Sequence, residues 1–303
     1  MIDGIKFEIF SSVALERSLM SKEGFIRPLN MQTGELLGIY NRTIITNENL
    51  ASTKMDIKLY PSGRMYISGS LHKYLKGENH SGFNLHDLKQ AIRHICKQLM
   101  VSPSECRITQ MEYGVNLKTS FEVSKFLDRL ICIKNNPFNI EYSTKMNYYY
   151  SKTTDYKIKI YDKGLQYNLP YQLLRIEKKV TDSRALRKKG IEIFTLSDLD
   201  YDHLKLLGRD LLKMIDQIIF DDKSILDSRL SGNQKIALEK YRNPRHWRIR
   251  GKDAAFHARK AFELLKEKFG SEIHLKEVKK LTEKTINNLL NTTTNANTLL
   301  LKI

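Results

Sequence analysis

Several residue types and motifs are scarce or missing in this chain of 303 residues. Its three cysteines, Cys96, Cys106 and Cys132, are odd in number and form no closely spaced pair, which argues against a disulfide framework or a zinc site. No apolar run approaches the roughly 20 residues that cross a bilayer. The N-terminal stretch carries charged residues in place of a signal peptide's apolar core. We therefore expect a soluble protein of a reducing cytoplasm.

Two common enzyme motifs are also absent. Residues 69–79 contain glycines, lysines and His72, but they lack the Gly-Lys-Ser/Thr ending of a phosphate-binding loop. The chain has no Gly-x-Ser-x-Gly nucleophile elbow and no His-x-x-x-His metal spacing. His72 and the nearby His80 stay open as groups that approach a metal or a phosphate, with solvated loop histidines as the alternative.

Basic residues outnumber acidic ones, 51 against 34, which gives a formal net charge of +17. This excess favours a polyanionic partner, with nucleic acid first and an anionic membrane surface second. The lysine bias of an AT-rich genome is the competing explanation. Residues 235–268 alone hold 11 Lys or Arg and 4 acids. They predict a DNA-binding surface formed by Arg245, Trp247, Arg248 and Arg250, or else a solvated helix face with Trp247 in the core.

The hydrophobic pattern changes along the chain. Before about residue 195, short alternating runs predict strands over 6–10, 55–60, 64–70, 107–117, 148–150, 156–161 and 173–180, with helices over 84–99 and 121–131. The turn residues Pro61-Ser62-Gly63 predict a hairpin of 55–60 with 64–70, and 148–150 and 156–161 are expected to form a strand pair. After it, helical spacing predicts helices over 202–220, 233–241, 252–269 and 276–290, and 291–298 is a low-complexity segment expected to fray. This order favours an α+β fold, an antiparallel sheet covered by helices with a helical C-terminal part.

The run from Tyr156 to Gly164 alternates like a strand, with Ile158 and Ile160 on one face. The other face carries tyrosine and lysines, namely Lys157, Lys159, Tyr161 and Lys163. Lysines favour the phenolate over the phenol and attract phosphate, so Tyr161 is a candidate nucleophile. The alternative from the residues alone is a half-exposed structural tyrosine.

Two further strands place acidic and basic side chains on their polar faces. One face of 107–117 presents Glu112, and one face of 173–180 presents Arg175, Glu177 and Lys179. If these strands are neighbours of the Tyr161 strand, two carboxylates can hold Mg²⁺ or Mn²⁺ beside the tyrosine. The alternative is a solvated sheet face with cross-strand ion pairs.

Five segments, in order, resemble the gene II/X family of phage and plasmid replication proteins, the rolling-circle initiators typified by filamentous-phage gene II protein. They are Met1-Ile2-Asp3, SGSLHKYLKGEN (68–79), RITQMEYGVNL (107–117), YKIKIYDKGLQ (156–166) and LLRIEKKV (173–180), followed by Lys188 to Ile191. The resemblance covers about the first two thirds of the chain. It implies a nuclease core like that of rolling-circle Rep and HUH proteins, with a nicking and joining domain over 1–200 and a basic helical region over 201–303.

The resemblance also implies a mechanism. Tyr161, accompanied by Lys163, would attack an origin phosphate to give a 5′-phosphotyrosine link, and Glu112 and Glu177 would bind the metal. Lys157, Lys159, Arg175 and Lys179 would contact DNA. The His-hydrophobe-His motif of the wider superfamily is absent, and Arg107 lies five residues before Glu112 instead of close to it.

Several roles stay open at this stage. Tyr167 is a candidate second nucleophile, because ending a rolling circle needs a second strand transfer. The expected partners are a double-stranded origin, the single-stranded nick region, a host helicase and a host polymerase, with a homodimer as a further expectation and no membrane. The expected location is the cytoplasm of a bacterial host. The rival functions are a mobilisation relaxase and a non-catalytic DNA-binding regulator.

Overall fold

A computed structural model describes residues 1–20, 31–34, 40–46, 54–60, 62–143, 146–248, 251–271 and 273–291. Pro61 of the predicted turn, Arg250 and the low-complexity residues from 292 onward lie outside these ranges. Among the described helices, none is both long and apolar enough to span a bilayer.

The described residues form strands and helices of mixed order. The strands are β1 (Ile2–Phe10), β2 (Tyr40–Thr46), β3 (Lys54–Leu59), β4 (Arg64–Ser70), β5 (Arg107–Lys118), β6 (Leu130–Ile133), β7 (Asn136–Pro137), β8 (Asn139–Glu141), β9 (Tyr148–Lys152), β10 (Tyr156–Asp162), β11 (Leu173–Val180) and β12 (Ile218–Phe220). The helices are α1 (Val13–Met20), α2 (Leu71–Lys76), α3 (Leu85–Leu99), α4 (Val123–Leu127), α5 (Lys163–Tyr167), α6 (Arg184–Arg187), α7 (Tyr201–Ile215), α8 (Gly232–Arg242), α9 (Pro244–Arg248), α10 (Lys252–Phe269) and α11 (Ile273–Asn291). The predicted α+β class, with an antiparallel sheet, flanking helices and a helical C-terminal part, is confirmed.

Contacts between Cα atoms divide the chain into two compact units. Unit 1 comprises residues 1–114, 179–207 and 286–303, and unit 2 comprises 115–178 and 208–285. Both β5 and β11 therefore contribute residues to both units. The predicted functional division at residue 200 stays a prediction, because a division by contacts does not report on function.

Unit 1 contains an antiparallel sheet in the order β2-β3-β4-β1-β5, with β11 next to β5. Buried and exposed residues alternate along its strands. In β3, for example, Met55, Ile57 and Leu59 are buried, while the residues between them are exposed. The predicted hairpin of β3 and β4 is confirmed, and Gly63 in its turn has φ +73°, a conformation that favours glycine. α3 begins at the N-cap Asn84, which exchanges hydrogen bonds with Asp87 in a capping box.

Unit 2 contains the strands β11-β10-β9-β8, with the C-terminal end of β5 beside β11, and a small sheet in the order β12-β6-β7. The C-terminal helices of this unit pack around a hydrophobic cluster that includes Ile219, Leu238, Trp247 and Phe262. The predicted strand pair of β9 and β10 is confirmed, with Tyr148 opposite Tyr161 in the register.

Two predicted helices are shorter than expected. The helix predicted over 121–131 is only Val123–Leu127, and the helix predicted over 202–220 ends at Ile215. The last residues of both predicted segments lie in β6 and β12, which pair antiparallel with each other. Both runs are rich in β-branched residues, so pairing between distant segments overrode the local helical spacing.

Candidate active site

Tyr161 lies at the end of β10, where the strand turns directly into α5. The side chain of Asp162 is the N-cap of this helix and accepts a hydrogen bond from the backbone N–H of Leu165 at 2.8 Å. Gly164 fits here because a Cβ at its position would lie 2.7 Å from the carbonyl oxygen of Tyr171. Lys163 was predicted on the strand face, but it is the first residue of the helix, and the turn points its ammonium back to Tyr161.

The Tyr161 hydroxyl lies among charged groups, although only 4% of the residue is exposed. It donates a hydrogen bond to Oε2 of Glu177 at 3.3 Å. Nζ of Lys163, a residue only 1% exposed, lies 3.4 Å from the same hydroxyl oxygen and donates to it. A phenol with an acceptor for its proton on one side and a buried cation on the other is arranged to become a phenolate.

Glu177 on β11 is a buried carboxylate with two cationic partners. Its Oε2 accepts from Nε of Arg175 at 3.1 Å, and its Oε1 lies 3.2 Å from Nζ of Lys159. Burial of a carboxylate is costly unless it is paired and hydrogen-bonded, and these two cations provide the pairing. Arg175 is itself 3% exposed and also donates to Oδ1 of Asn116. It therefore holds Glu177 instead of offering its guanidinium to DNA, which corrects the predicted DNA contact.

In unit 1, Asp3 of β1 is a buried carboxylate that was not among the predicted site residues. It is 4% exposed and accepts hydrogen bonds from Nδ2 of Asn79 at 2.8 Å and from the hydroxyl of Ser70. Its only sequence signal is its place in the first of the five resembling segments. A buried aspartate of this kind is uncommon without a partner or a functional role.

Glu112 of β5 is half-buried, and the backbone of β1 makes room for it. A Cβ placed on Gly4 would lie 3.2 Å from Cβ of Glu112 and 3.8 Å from its Oε1. Glycine at position 4 therefore lets the Glu112 side chain lie close against β1.

In unit 1, Asp3 and Glu112 form a carboxylate cluster. Each offers one oxygen, and these two oxygens lie within 4.8 Å of each other. Hard carboxylate oxygens are the ligands that Mg²⁺ and Mn²⁺ prefer, and carboxylates this close repel one another unless a cation or a proton intervenes. The two residues therefore fit the predicted divalent metal, with Asp3 as an added candidate ligand.

The other predicted residues near Tyr161 have different surroundings. Lys157 pairs with Oε2 of Glu141 at 2.8 Å and lies over the ring of Tyr150. Tyr167 is half-buried at the end of α5, with Nζ of Lys163 5.1 Å from its ring centroid. Lys179 is half-buried and lines a cavity together with Glu112.

His72 and His80 both lie beside Glu78 in unit 1. Nε2 of His72 is 3.8 Å from one carboxylate oxygen of Glu78, and Nδ1 of His80 is 2.9 Å from the other. His72 is buried and also stacks on the ring of Phe83. Neither histidine belongs to the carboxylate cluster found among the described residues.

The predicted C-terminal surface is only partly exposed. Arg245 and Arg248 of α9 are exposed, and Arg250 lies outside the described residues. Trp247 is fully buried in the cluster of unit 2, and its Nε1 donates to the carbonyl oxygen of Tyr241 at 2.8 Å. Its ring cannot stack on a base, so the predicted DNA contact of Trp247 is corrected to a core role.

Comparisons with known proteins give a low structural likeness to a solved structure. No family model matches the chain, and no curated protein matches it. A solved structure of a rolling circle replication initiator protein from Geobacillus stearothermophilus is similar with a TM-score of 0.39 and 11% sequence identity, over 80% of this chain and 96% of that one. Family membership stays a prediction from the sequence motifs.

Proposed function

We propose that this protein is a rolling-circle replication initiator that nicks and rejoins one DNA strand through Tyr161. The observation that carries the proposal is the buried phenol hydrogen-bonded to both Glu177 and Lys163. A structural tyrosine needs no such pair of charged partners. The five ordered sequence segments support the same function independently.

Each of these residues has its own role in the phosphoryl transfer. The Tyr161 oxygen attacks phosphorus as its proton passes to water, while Glu177 orients the phenol by accepting its hydrogen bond. Lys163 stabilises the developing phenolate. The bond from phosphorus to the 3′ oxygen breaks, and that oxygen takes up a proton from water. The products are a 5′-phosphotyrosine link and a free 3′-OH, and attack by a 3′-OH in the reverse sense rejoins the strand.

Asp3 and Glu112 would hold the divalent ion, and Glu177 stays the further ligand that the sequence motifs predict. When bound there, Mg²⁺ or Mn²⁺ supplies a Lewis acid that neutralises charge on the scissile phosphate. Lys159 pairs with Glu177 and contributes positive charge beside it.

The remaining roles follow from this chemistry. Exposed Arg245 and Arg248 contact the phosphates of the double-stranded origin. A host polymerase extends the free 3′-OH while a host helicase unwinds the duplex. The second strand transfer uses Tyr167 or the Tyr161 of another copy, which makes a homodimer one route to termination.

The test is a nicking assay on supercoiled DNA carrying the region that flanks the gene, with and without Mg²⁺. Wild type should give nicked circles and a covalent protein–DNA adduct, and Tyr161→Phe should give neither while still retarding the same DNA. Tyr142→Phe is the matched control, because Tyr142 is an exposed tyrosine of the same unit. A normal adduct with Tyr161→Phe excludes this tyrosine as the nucleophile.

The same assay separates the rival functions. A non-catalytic regulator binds the DNA without nicking it in any metal. A relaxase nicks its DNA but does not start synthesis of single-stranded circles when polymerase and helicase are added, whereas an initiator does.

A further inference from the structure

A cavity of about 360 Å³ opens on the polar face of the unit 1 sheet. Its walls come from β3, β4, β1, β5 and β11, and it is lined by Lys6, Lys58, Tyr66, Gln110, Glu112 and Lys179, among others. This volume is within the range of small-ligand sites, roughly 300–1,000 Å³. Since Glu112 is one of its walls, the cavity borders the proposed metal ligands.

Three lysines of the cavity have no acidic partner among the described residues. Lys6, Lys58 and Lys179 form no ion pair with any of them. Among the described lining residues the one carboxylate is Glu112, which the proposed metal site uses. A concave surface with three such ammonium groups attracts an anion, and phosphates are anions that lysines bind as point charges.

The cavity also offers groups suited to a base. The side-chain amide of Gln110 forms no hydrogen bond with another described residue, so its donor and acceptor are both available. Gln110 lies opposite Lys6 in the register of β5 and β1. The ring of Tyr66 forms the next wall, held by Nζ of Lys6 at 4.7 Å from its centroid. A glutamine amide can pair with a base edge through two hydrogen bonds.

We propose that this cavity binds one unpaired nucleotide of single-stranded DNA next to the nick, with Lys58 and Lys179 on its phosphates and Gln110 reading its base. This inference rests on the proposed function, because that function supplies the single strand. A free base exposes its pairing edge and ring face, which a duplex hides, so the cavity selects melted DNA over double-stranded DNA.

The first experiment measures binding of fluorescent single-stranded 20-mers by anisotropy, without metal and in the Tyr161→Phe background, so that no cleavage occurs. Lys58→Ala and Lys179→Ala should each weaken binding about threefold to fivefold and lower the slope of log affinity against log salt by roughly 0.7. Lys89→Ala on α3 is the matched control, since Lys89 is an exposed lysine of the same unit outside the cavity. Its affinity and slope should equal those of the parent protein.

The second experiment varies the base with 20-mers of dA, dC or dT. Gln110→Ala should remove a preference of up to about tenfold among them while leaving the salt slope unchanged. Circular dichroism and the melting temperature confirm that each variant is folded. Binding by both lysine variants as tight as that of Lys89→Ala overturns the proposal, and so does an equal loss of affinity for a 20-base-pair duplex.

The two proposals fail in different ways. If wild-type protein nicks DNA but the cavity variants bind single strands normally, only the cavity assignment is wrong. If the cavity variants lose single-strand binding but no tyrosine adduct ever forms, only the nicking function is wrong.

Discussion

The hydroxyl of Tyr161 and the carboxylate of Glu177 share a hydrogen bond of 3.3 Å inside unit 2. Because Arg175 and Lys159 pair with the same carboxylate, loss of its charge should leave both cations and Lys163 unbalanced.

Glu177→Gln should therefore destabilise the protein by about 3 kcal/mol, in the range measured when one partner of a buried ion pair is removed. The control is Glu141→Gln, which breaks the pair between an exposed carboxylate and Lys157 and should change stability by less than about 1 kcal/mol. Urea unfolding of both variants measures the difference. Equal stabilities would show that the Glu177 ion pairs are not coupled to folding.

Divalent metal should stabilise the folded protein through the carboxylate cluster. Mn²⁺ or Mg²⁺ at about 100 times its dissociation constant adds about 2.7 kcal/mol to the free energy of unfolding, and chelation reverses it. Asp3→Asn should abolish this gain, because it removes one of the two charged candidate ligands of unit 1. The exposed Glu283 provides the control variant Glu283→Gln. A gain that survives in Asp3→Asn would remove Asp3 from the metal site.

A methyl group at position 4 should disturb the metal site from the side of β1. Gly4→Ala places its Cβ 3.2 Å from Cβ of Glu112, so Glu112 must shift, and we expect Mn²⁺ affinity to fall about tenfold, as on disturbing a ligand's supporting shell. Gly82→Ala is the control, since a Cβ there meets nothing within 4 Å. Calorimetric titration with Mn²⁺ compares the two, and equal affinities would contradict the role of Gly4.

Trp247 is the chain's one tryptophan, so its fluorescence reports on a single site. Because the indole is fully buried, the folded protein should emit at short wavelength, resist acrylamide quenching and show no change when single-stranded DNA is added. Trp247→Ala should cost about 3–5 kcal/mol through the cavity it leaves. Strong quenching of the Trp247 fluorescence of the folded wild type by DNA would show that Trp247 contacts DNA after all.

The cysteine thiols should be unreactive in the native state. All three are buried, and burial raises the pKa of Cys132 to about 12, well above the roughly 8.5 of a free thiol. At pH 8 its thiolate, the reactive form, is therefore scarce until the chain unfolds. A thiol reagent should titrate no cysteine in buffer and all three in denaturant. Rapid reaction of one thiol in buffer would show that its surroundings open in the folded state.

Local alternation was enough to predict the strands that carry the site. The pattern around Ile158 and Ile160 predicted β10, and that around Leu174 and Ile176 predicted β11. All four residues are buried, as the alternation predicts, although β11 also buries most residues of its other face. The pairing of β6 with β12 could not be predicted this way. It joins segments almost 90 residues apart, whose spacing taken locally is helical.

Three candidate site residues could be selected from the sequence. Tyr161, Glu112 and Glu177 each place a reactive or charged side chain on the polar face of a predicted strand. Asp3 was not predicted, because its hydrogen-bond donors Ser70 and Asn79 lie some 70 residues further along the chain. The sequence could not decide between a surface and a core position for Trp247. The basic residues around it do not indicate the apolar cluster that buries its ring.

The division of β5 and β11 between the two units limits how this protein can be shortened. A fragment ending at residue 200 loses 208–285, more than half of unit 2, yet retains both strands that enter that unit. Such a fragment would expose apolar surface and unpaired strand edges, which favours aggregation over a smaller working enzyme. Dissection of the activity is therefore better served by point variants in the complete polypeptide than by expressing its parts.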